Sequence, residues 1–398
     1  MIETTAMGDH ELLEIRTNAF SGRSYYSKVP IEADTVLFDV STPYSYTIYK
    51  RFRNEVCAEC FTYQSGRRAF LTCREYGETA GLLFCDTNCR DRWIEREGME
   101  MVELLSRLEK RRMRKPPKKE DQKMRESVTE EEVERAWERV KETERDAKQL
   151  RKWGQVSLED YEADQARYVL MALYHYAREQ SQEENASASS DQEPKSAGVS
   201  FGGGAHWQSF ASLQSNELEE VKRFPELLDN HIRIYQALKS LLCGPPSAGR
   251  ASGSRNGNRP NSGGDDGEGS REREASGTLA RLVQVMTVDN VRRALGVDPG
   301  NSFGIWETPL TDESECLGYG VYPIPSLFNH HCSPNVRKNR RGRGIGFVTT
   351  RRVSAGEEMC ISYGHVENMT VGERRKTLRE GWYFECQCSR CVAEASER

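Results

Sequence analysis

The segment "SLFNHHCSPNVRKN" (residues 326–339) places a cysteine, Cys332, directly after two histidines. The later segment "FECQCSRC" (residues 384–391) crowds three more cysteines together: Cys386, Cys388 and Cys391. This C-x-C-x2-C spacing is too tight for three independent core residues, and three thiolates so placed can converge on one ion. Tetrahedral zinc takes four ligands, and Cys332 is the best candidate for the fourth. The two segments therefore predict a zinc ion, rather than free buried thiols, that ties the C-terminal tail to the stretch carrying Asn329 and His330.

A second set of four cysteines lies in the first quarter of the chain: Cys57, Cys60, Cys85 and Cys89. Two cysteine pairs at this separation make a complete four-thiolate zinc site. A second, interleaved site would need Cys73 and three further ligands, but Tyr76 stands where a C-x2-C pair would be completed. We therefore predict one zinc ion here, two in all, and an unligated Cys73. The remaining cysteines are expected to be ordinary small buried residues: Cys243, Cys316 and Cys360.

Composition restricts the classes of partner. The 398 residues carry a net charge of -5, with 36% hydrophobic and 30% charged residues, so any contact with nucleic acid must come from a local basic patch. The start "MIETTAMGDH" has no signal-peptide pattern, and no apolar run approaches the roughly 20 residues that cross a bilayer. We expect a soluble monomer of the nucleus or cytoplasm without a membrane partner. Disulfides are disfavoured there, and paired cysteines more often hold metal.

Strand-like and helical patterns follow one another along the chain. Alternation predicts strands near the N-terminus, in "ELLEIRTN", "RSYYSKV" and "TVLFDV", and again in "GIGFVTT" and "EEMCISY". Thr129 and Glu132 form a capping box at the start of a charged helix. Helical spacing also predicts helices over 158–179 and over 218–242, the latter interrupted near Pro225.

Two polar stretches interrupt these patterns. They include "SQEENASASSDQEPKSAGVSFGGG" and "GPPSAGRASGSRNGNRPNSGGDDGEGSREREASG". Neither carries enough apolar surface to offset the entropy of ordering the chain. We predict disordered insertions over 181–215 and 244–277.

Several segments, in this order along the chain, resemble motifs of the SET and MYND type of protein-lysine methyltransferase. They are "SGRSYYSKVPIEADTVLF", "GNSFGIW", "GYGVYPIPSLFNHHCSPN", "AGEEMCISYG" and "ERRKTLREGWYFECQCSRC". The resemblance implies an α+β protein: a β-rich SET catalytic fold split by a MYND-type zinc finger and a helical insert, and closed by a post-SET zinc motif. The finger departs from the family because it lacks the second zinc set, and Ser21 stands at the start of the family's GxG. The chain stops just after the post-SET cysteines, as in compact fungal-like members without a C-terminal helical-repeat domain.

The same resemblance divides the chain into parts. The N-terminal half of the SET domain is expected at 1–54, the degenerate finger at 55–95 and the charged helical insert at 96–180. After the insertion 181–215, the insert continues at 216–243, followed by the insertion 244–277. The C-terminal catalytic half is expected at 278–365 and the post-SET motif at 366–398.

Family motifs also imply roles in methyl transfer from S-adenosylmethionine to a lysine amine. Tyr363 matches the catalytic tyrosine, whose hydroxyl orients the amine and the sulfonium methyl. Trp382 stands where the family usually has a tyrosine in the substrate channel, and Tyr322 is assigned to the same channel. We expect the tryptophan to change how many methyl groups are transferred more than whether transfer occurs. The positions assigned to the cofactor are Gly22, Arg23, Asn301, Asn329, His330, Tyr363 and Phe384, the last by stacking on adenine.

The acceptor lysine must be neutral. Its ordinary pKa of about 10.4 makes deprotonation near pH 7.4 cost roughly 4 kcal/mol. Desolvation in a narrow apolar channel can supply much of that by lowering the pKa.

The partners are less defined by the sequence. A histone tail is the default substrate by resemblance, although nothing here separates it from another protein lysine. The finger is expected either to bind a peptide or to act only as a structural brace. "KRRMRKPPKK" (110–119), with seven basic residues in ten, fits a nuclear-import signal, a patch for nucleic acid or acidic protein, or one solvated end of a charged helix. The competing function is a non-catalytic chromatin adaptor. The presence of Asn329, His330 and Tyr363 argues against it, because an adaptor would not need them.

Overall fold

The computed structural model describes residues 10–18, 21–66, 71–72, 78–114, 127–188, 206–243, 277–311, 313–364 and 366–396. The strands are β1 (Leu13–Asn18), β2 (Gly22–Ser27), β3 (Val36–Val40), β4 (Ser45–Ile48), β5 (Leu71–Thr72), β6 (Leu83–Phe84), β7 (Ser302–Trp306), β8 (Cys316–Val321), β9 (Asn329–His330), β10 (Val336–Arg341), β11 (Gly344–Thr349) and β12 (Cys360–Ile361). The helices are α1 (Thr87–Glu97), α2 (Met99–Glu109), α3 (Glu130–Glu144), α4 (Ala147–Trp153), α5 (Asp160–Ala188), α6 (Trp207–Ala211), α7 (Glu217–Arg223), α8 (Leu227–Cys243), α9 (277–285), α10 (Val288–Asn301), α11 (Val371–Trp382) and α12 (Ser389–Ser396). Within these ranges no helix combines the length and the apolar character needed to span a bilayer.

The strands form small antiparallel sheets and one parallel pair. One three-stranded sheet has the order β4-β8-β7, and another has the order β10-β11-β3. β1 and β2 form a hairpin whose register pairs Leu13 with Ser27 and Asn18 with Gly22. The parallel pair joins β9 to β12, so segments about thirty residues apart in the chain lie side by side.

Helices cover one face of the β4-β8-β7 sheet. The long helix α5 packs against β4, and the hydroxyl of Ser45 donates to the carbonyl of Tyr168 over 2.6 Å. The charged helix α3 begins where the sequence predicts, because the Thr129 side chain accepts from the backbone N–H of Glu132 and the Glu132 carboxylate accepts from the backbone N–H of Thr129. A continuous core runs from the sheets into the helices and includes the fully buried Trp93.

The prediction of a disordered insertion over 181–215 is wrong at both ends. α5 continues to Ala188, and α6 forms at Trp207–Ala211. The reason is apolar burial: Trp207 stacks on Tyr176 with ring centroids 4.6 Å apart, and Phe210 is fully buried. Three apolar side chains in "HWQSFASL" therefore suffice to order this part. Residues 189–205 and 244–276, also predicted to be disordered, lie outside the described residues.

The junction between α10 and β7 is set by its sequence "DPGN". Pro299 has a non-helical ψ of 115° and Gly300 a φ of +92°, so the helical path breaks before Asn301. A positive φ is readily adopted by glycine, which lacks a Cβ. The break turns the chain from α10 into β7 and places Asn301 at the turn.

Candidate functional site

The parallel pair β9 and β12 brings two predicted motifs together. Asn329 is paired with Cys360 and His330 with Ile361, and the N–H of His331 donates to the carbonyl of Ile361 over 3.0 Å. Tyr363 therefore follows β12 directly beside the "NHHC" segment. Two motifs about thirty residues apart in the sequence are thus joined by the pairing of four residues: Asn329, His330, Cys360 and Ile361.

His330 connects Tyr363 to the cysteines. Its Nδ1 accepts from the backbone N–H of Tyr363 over 3.1 Å, and its Nε2 lies 3.2 Å from the Sγ of Cys332. Because Nδ1 acts as an acceptor, the proton of the neutral ring sits on Nε2 and is donated to the sulfur. Burial lowers the pKa of His330 to about 4, which favours this neutral form.

Tyr363 lies at the centre of an aromatic group. Its ring centroid is 5.4 Å from that of His330, 5.8 Å from that of Trp382 and 6.1 Å from that of Phe384. Its hydroxyl donates to the carbonyl of Phe328 over 2.9 Å, and burial raises its pKa above the usual range for tyrosine. The phenol is thus held neutral at a fixed position, which suits an orienting group better than a general base.

The structure brings Trp382 and Phe384 into this group but not Tyr322. Tyr322 is fully buried, and its hydroxyl donates to the carbonyl of Arg343 over 2.6 Å. Its ring contact is with Phe303, at 5.7 Å between centroids. Among the described ring contacts none joins Tyr322 to Tyr363, Trp382 or Phe384, so a channel role for Tyr322 stays a prediction.

Gly22 and Arg23 lie just after the turn of the β1–β2 hairpin. Gly22 has a φ of +69°, and an added Cβ would meet no atom within 4 Å, so its surroundings are open. The Arg23 guanidinium donates to the carbonyl of Ser212. This contact spans the gap between the hairpin and the segment that follows α6.

Asn301 contacts the same segment. Its amide nitrogen donates to the carbonyls of Gln214 and Val297, both at 2.8 Å. Both N–H groups are therefore used within the protein, and the amide oxygen is the atom left for a ligand. Asn301 is predicted as a cofactor contact, and this geometry restricts that contact to one in which Asn301 accepts a hydrogen bond.

Residues 212–216 are the part of the site that the sequence analysis missed. Gln214 donates to the side-chain oxygen of Asn216 over 3.0 Å, and Asn216 donates to the carbonyl of Pro299 over 2.6 Å. The segment thereby joins the Arg23 hairpin to the α10–β7 junction. The available signal was the apolar "WQSFASL" (207–213), which overlaps the start of this segment and which the polar composition upstream obscured.

Asn329 faces the hairpin from the other side. Its amide nitrogen donates to the carbonyl of Ser21 over 3.3 Å and to a carboxylate oxygen of Glu358 over 3.0 Å. Asn329 is thus tied to Ser21, the residue before Gly22. The assignment of Gly22, Arg23, Asn301 and Asn329 to one cofactor stays a prediction.

The C-terminal cysteine group has the geometry of a metal site. The four Sγ atoms of Cys332, Cys386, Cys388 and Cys391 all lie within 4.8 Å of one another. The Cys332 sulfur is 3.8 Å from that of Cys386 and 3.5 Å from that of Cys391. A zinc tetrahedron with Zn–S bonds of about 2.3 Å has sulfur–sulfur edges of about 3.8 Å, whereas a disulfide is about 2.05 Å long. The spacing therefore fits four ligands of one ion.

Hydrogen-bond donors around this group fit anionic sulfur. The fully buried guanidinium of Arg374 lies 3.6 Å from the Sγ of Cys391 and ion-pairs with Glu394 at 2.7 Å. His330 donates to Cys332 from the opposite side. Such donors orient thiolate ligands and offset their charge.

The N-terminal cysteine group has the same character. The Sγ atoms of Cys57, Cys60, Cys85 and Cys89 lie within 4.8 Å of one another, and those of Cys60 and Cys85 are 3.5 Å apart. The backbone N–H of Cys85 donates to Cys57 over 3.4 Å, and Arg92 donates to Cys89 over 3.3 Å. This group could hold one ion, as predicted. Cys73 and Tyr76 lie outside the described residues.

A buried charge network attaches this cysteine-rich segment to the sheets. Glu97, at the end of α1, is fully buried and accepts from His175 Nε2 at 2.6 Å and from Arg343 at 3.2 Å. His175 Nδ1 lies 2.6 Å from the carbonyl of Tyr44, so both ring nitrogens of His175 lie within hydrogen-bonding distance of an oxygen. Burial raises the pKa of Glu97, but His175, Arg96 and Arg343 outweigh it and hold that pKa well below its usual range.

The basic stretch is partly used inside the protein. Arg112 is mostly buried and ion-pairs with Glu109 at 3.0 Å, Asp160 at 2.6 Å and Asp164 at 3.1 Å. Arg111 donates to the carbonyl of Gly154. The stretch is therefore not a uniformly exposed patch, and residues 115–119 lie outside the described residues.

Comparison with known proteins identifies the family of the chain. The SET domain family model matches residues 22–364, and the chain belongs to that family. The chain is 25% identical to SET6 of Saccharomyces cerevisiae, named a potential protein lysine methyltransferase, over 98% of both chains. It is 34% identical to a SET and MYND domain-containing protein of Dictyostelium discoideum over 24% of each chain. It is 41% identical to the histone-lysine N-methyltransferase SMYD3 of Mus musculus over 24% of this chain and 21% of that one. The last two similarities therefore concern a limited part of the chain.

Proposed function

We propose that this protein is an S-adenosylmethionine-dependent protein-lysine N-methyltransferase, acting on a histone or another protein. The observation that carries the proposal is the placement of Tyr363. Its hydroxyl is fixed by Phe328, its backbone is held by His330, and its ring packs with Trp382 and Phe384. The family and its methyltransferase relatives support the same activity.

In this proposal the chain's residues bind, orient and exclude water. S-adenosylmethionine, when bound, supplies the methyl group as an electrophile. Arg23 and Asn329 contribute hydrogen bonds at the edge of the site, and the amide oxygen of Asn301 accepts from an ammonium group. Phe384 offers a face for adenine. Methyl transfer to an amine is mainly a matter of positioning, because the reacting atoms must be close and aligned.

The aromatic group around Tyr363 favours a neutral acceptor amine. Aromatic walls remove water, and desolvation lowers the pKa of a lysine. The Tyr363 hydroxyl accepts a hydrogen bond from the amine while it donates to Phe328. The lone pair of the amine would then be left free to accept the methyl group.

The cysteine groups are proposed to hold one zinc ion each. The C-terminal ion fixes the tail carrying Phe384 against the strand carrying His330. The N-terminal ion stabilises a degenerate MYND-type finger, and the catalytic fold is split by that finger and the helical insert. The finger is proposed to act as a brace or to bind a peptide.

We propose the following location and partners. The protein is placed in the nucleus or cytoplasm, acts as a monomer on a protein substrate with a histone tail as the default, and makes at most a weak contact with nucleic acid through residues 110–119.

Calorimetric titration of the zinc-replete protein with S-adenosylmethionine tests the function. We expect binding by the wild type and its loss in Asn329→Ala, since this change removes the contacts to Ser21 and Glu358 that set the edge of the site. Binding should be followed by methyl transfer to lysine peptides. A folded, zinc-replete wild type that binds no S-adenosylmethionine would favour the competing function, a non-catalytic adaptor.

A further inference from the structure

A cavity of about 240 Å³ lies between α5 and the sheet containing β7 and β8. Its walls include Tyr49, Tyr161, Gln165, Asp298, Ser302 and Tyr319. Asp298 and Ser302 lie on either side of Asn301 in the sequence, so the cavity adjoins the proposed cofactor site. A water molecule takes about 30 Å³ in the liquid, so the space is large enough for a side-chain head group.

The side-chain amide oxygen of Gln165 is a hydrogen-bond acceptor that receives no hydrogen bond from the described residues. The side chain is 3% exposed, and its Oε1 has no hydrogen-bond partner among the described residues. Leaving a buried acceptor unsatisfied costs about 1–3 kcal/mol. A ligand carrying N–H groups would remove that cost.

Among the described residues, Asp298 and Glu220 form no ion pair, unlike the neighbouring Asp164. Asp164, in the same wall, ion-pairs with Arg53 and Arg112. Burial raises the pKa of Asp298 to about 6, against the lowering effect of the Ser302 and Tyr319 hydroxyls. Glu220, on α7, has a pKa of about 8, raised first by burial and then by Asp298, and its Oε2 is buried without a hydrogen-bond partner among the described residues.

Aromatic faces complete the site. Tyr49, Tyr161 and Tyr319 line the walls beside Asp298. Tyrosine faces attract cations through their quadrupole, by about 0.5–2 kcal/mol depending on desolvation. An orphan amide oxygen, a partly buried carboxylate and tyrosine rings together favour an organic cation with N–H donors rather than an anion or an apolar group.

We propose that this cavity binds a guanidinium or ammonium group, donated by an arginine or lysine side chain of the protein substrate near the methylated lysine. The choice of the substrate as the source rests on the proposed function. The cation site itself rests on the cavity alone. The polar atoms of the cavity would then recognise a basic residue near the methylated lysine.

The cation site can be tested without catalysis. Saturation-transfer-difference NMR is recorded on the full chain with Nα-acetyl-arginine amide and with Nα-acetyl-citrulline amide, which is neutral and nearly the same shape. We expect a signal at least about threefold stronger for the arginine compound, because charge-assisted hydrogen bonds are roughly twice as strong as neutral ones. Equal signals from the two compounds would overturn the site.

Variants test whether the NMR signal of the arginine compound comes from this cavity. Asp298→Asn removes the charge with little change in shape and should abolish the preference for arginine. Tyr161→Ala removes a wall at a residue that is 47% exposed, so it should fold even if the first variant does not. The matched control is Glu219→Gln, an exposed carboxylate on the same helix as Glu220, which should keep the preference. A preference that survives in both cavity variants contradicts the proposal.

A second arm identifies the source of the cation. Lysine peptides with arginine or citrulline at each neighbouring position are compared as methyl acceptors, alongside the calorimetric titration with S-adenosylmethionine. Faster transfer when arginine occupies one position, lost in Tyr161→Ala, supports a substrate side chain. Transfer indifferent to citrulline overturns the substrate part while leaving the cation site. Cofactor binding without transfer to any peptide overturns the proposed function, again independently of the NMR result.

Discussion

The hydroxyl of Tyr363 donates to the backbone carbonyl of Phe328 over 2.9 Å, across 35 positions of sequence. This bond exists because β9 and β12 run parallel, with His330 opposite Ile361. It holds the phenol neutral and in one orientation at the centre of the aromatic group. An amine bound beside Tyr363 would therefore face a phenol oxygen that accepts a hydrogen bond, because the phenol proton is already donated to Phe328.

Tyr363→Phe should lower kcat by about 100-fold, within the range for a group that positions protons in a transition state, and leave the affinity for S-adenosylmethionine nearly unchanged. The matched control is Tyr25→Phe, since Tyr25 is also buried and its hydroxyl donates to the carbonyl of Ile324 over 3.1 Å. Both variants lose one hydrogen bond, about 1 kcal/mol of folding stability. Steady-state kinetics with calorimetry check the result, and equal kcat values for the two variants would remove Tyr363 from the mechanism.

Cys386→Ser should reduce the metal content from two zinc ions per chain to one. A hydroxyl is a poor replacement for a thiolate, and a structural site needs all four ligands. Phe384 then loses its anchor, so the affinity for S-adenosylmethionine should fall as well. Cys360→Ala, a buried thiol outside both groups, serves as the control and should keep two ions. Mass spectrometry under native conditions counts the ions, and a wild type with no zinc or with three would contradict the assignment.

Glu97→Gln should lower the free energy of unfolding at pH 7 by about 3 kcal/mol, because breaking a buried pair leaves Arg343 and His175 without their carboxylate. The pKa of Glu97 is lower in the folded protein than the ordinary value of about 4.3, so its stabilisation is complete above that pH. As the pH falls from about 4.3 toward the folded pKa, the contribution is lost.

The difference in unfolding free energy between the wild type and Glu97→Gln should therefore be largest near neutral pH and shrink below pH 4. Urea titrations across this range measure it. Glu95→Gln, an exposed carboxylate on the same helix, should differ little from the wild type at any pH. A difference that grew on acidification would contradict the ion-pair interpretation.

Trp382→Tyr should change the number of methyl groups transferred. The Trp382 ring lies 5.8 Å from Tyr363, so the smaller tyrosine opens space beside the acceptor and adds a hydroxyl. We expect the ratio of mono-, di- and trimethylated products to shift while total turnover changes less. Mass spectrometry of peptide products reads the ratio. An unchanged product distribution would show that Trp382 does not border the acceptor nitrogen.

Local sequence signals predicted the features that depend on a few contiguous residues. A capping box begins α3, and the two cysteine sets gather as their spacing indicates, because thiols two or three positions apart lie within reach of one ion. The prediction failed where apolar and polar signals were mixed. Trp207 and Phe210 order a stretch that its polar neighbours made look disordered.

The sequence alone determined the family and the two cysteine groups, and it singled out Tyr363, Asn329 and His330 as candidate site residues, since each is carried by a short, specific motif. Only the tertiary structure decided that Asn301 donates both amide hydrogens to the carbonyls of Gln214 and Val297. It also decided that residues 212–216 join the site and that Gln165 and Asp298 line one cavity. These relationships join segments tens to hundreds of residues apart. They depend on how α5, α10 and the sheet pack, and packing depends on the shape of every buried side chain at once.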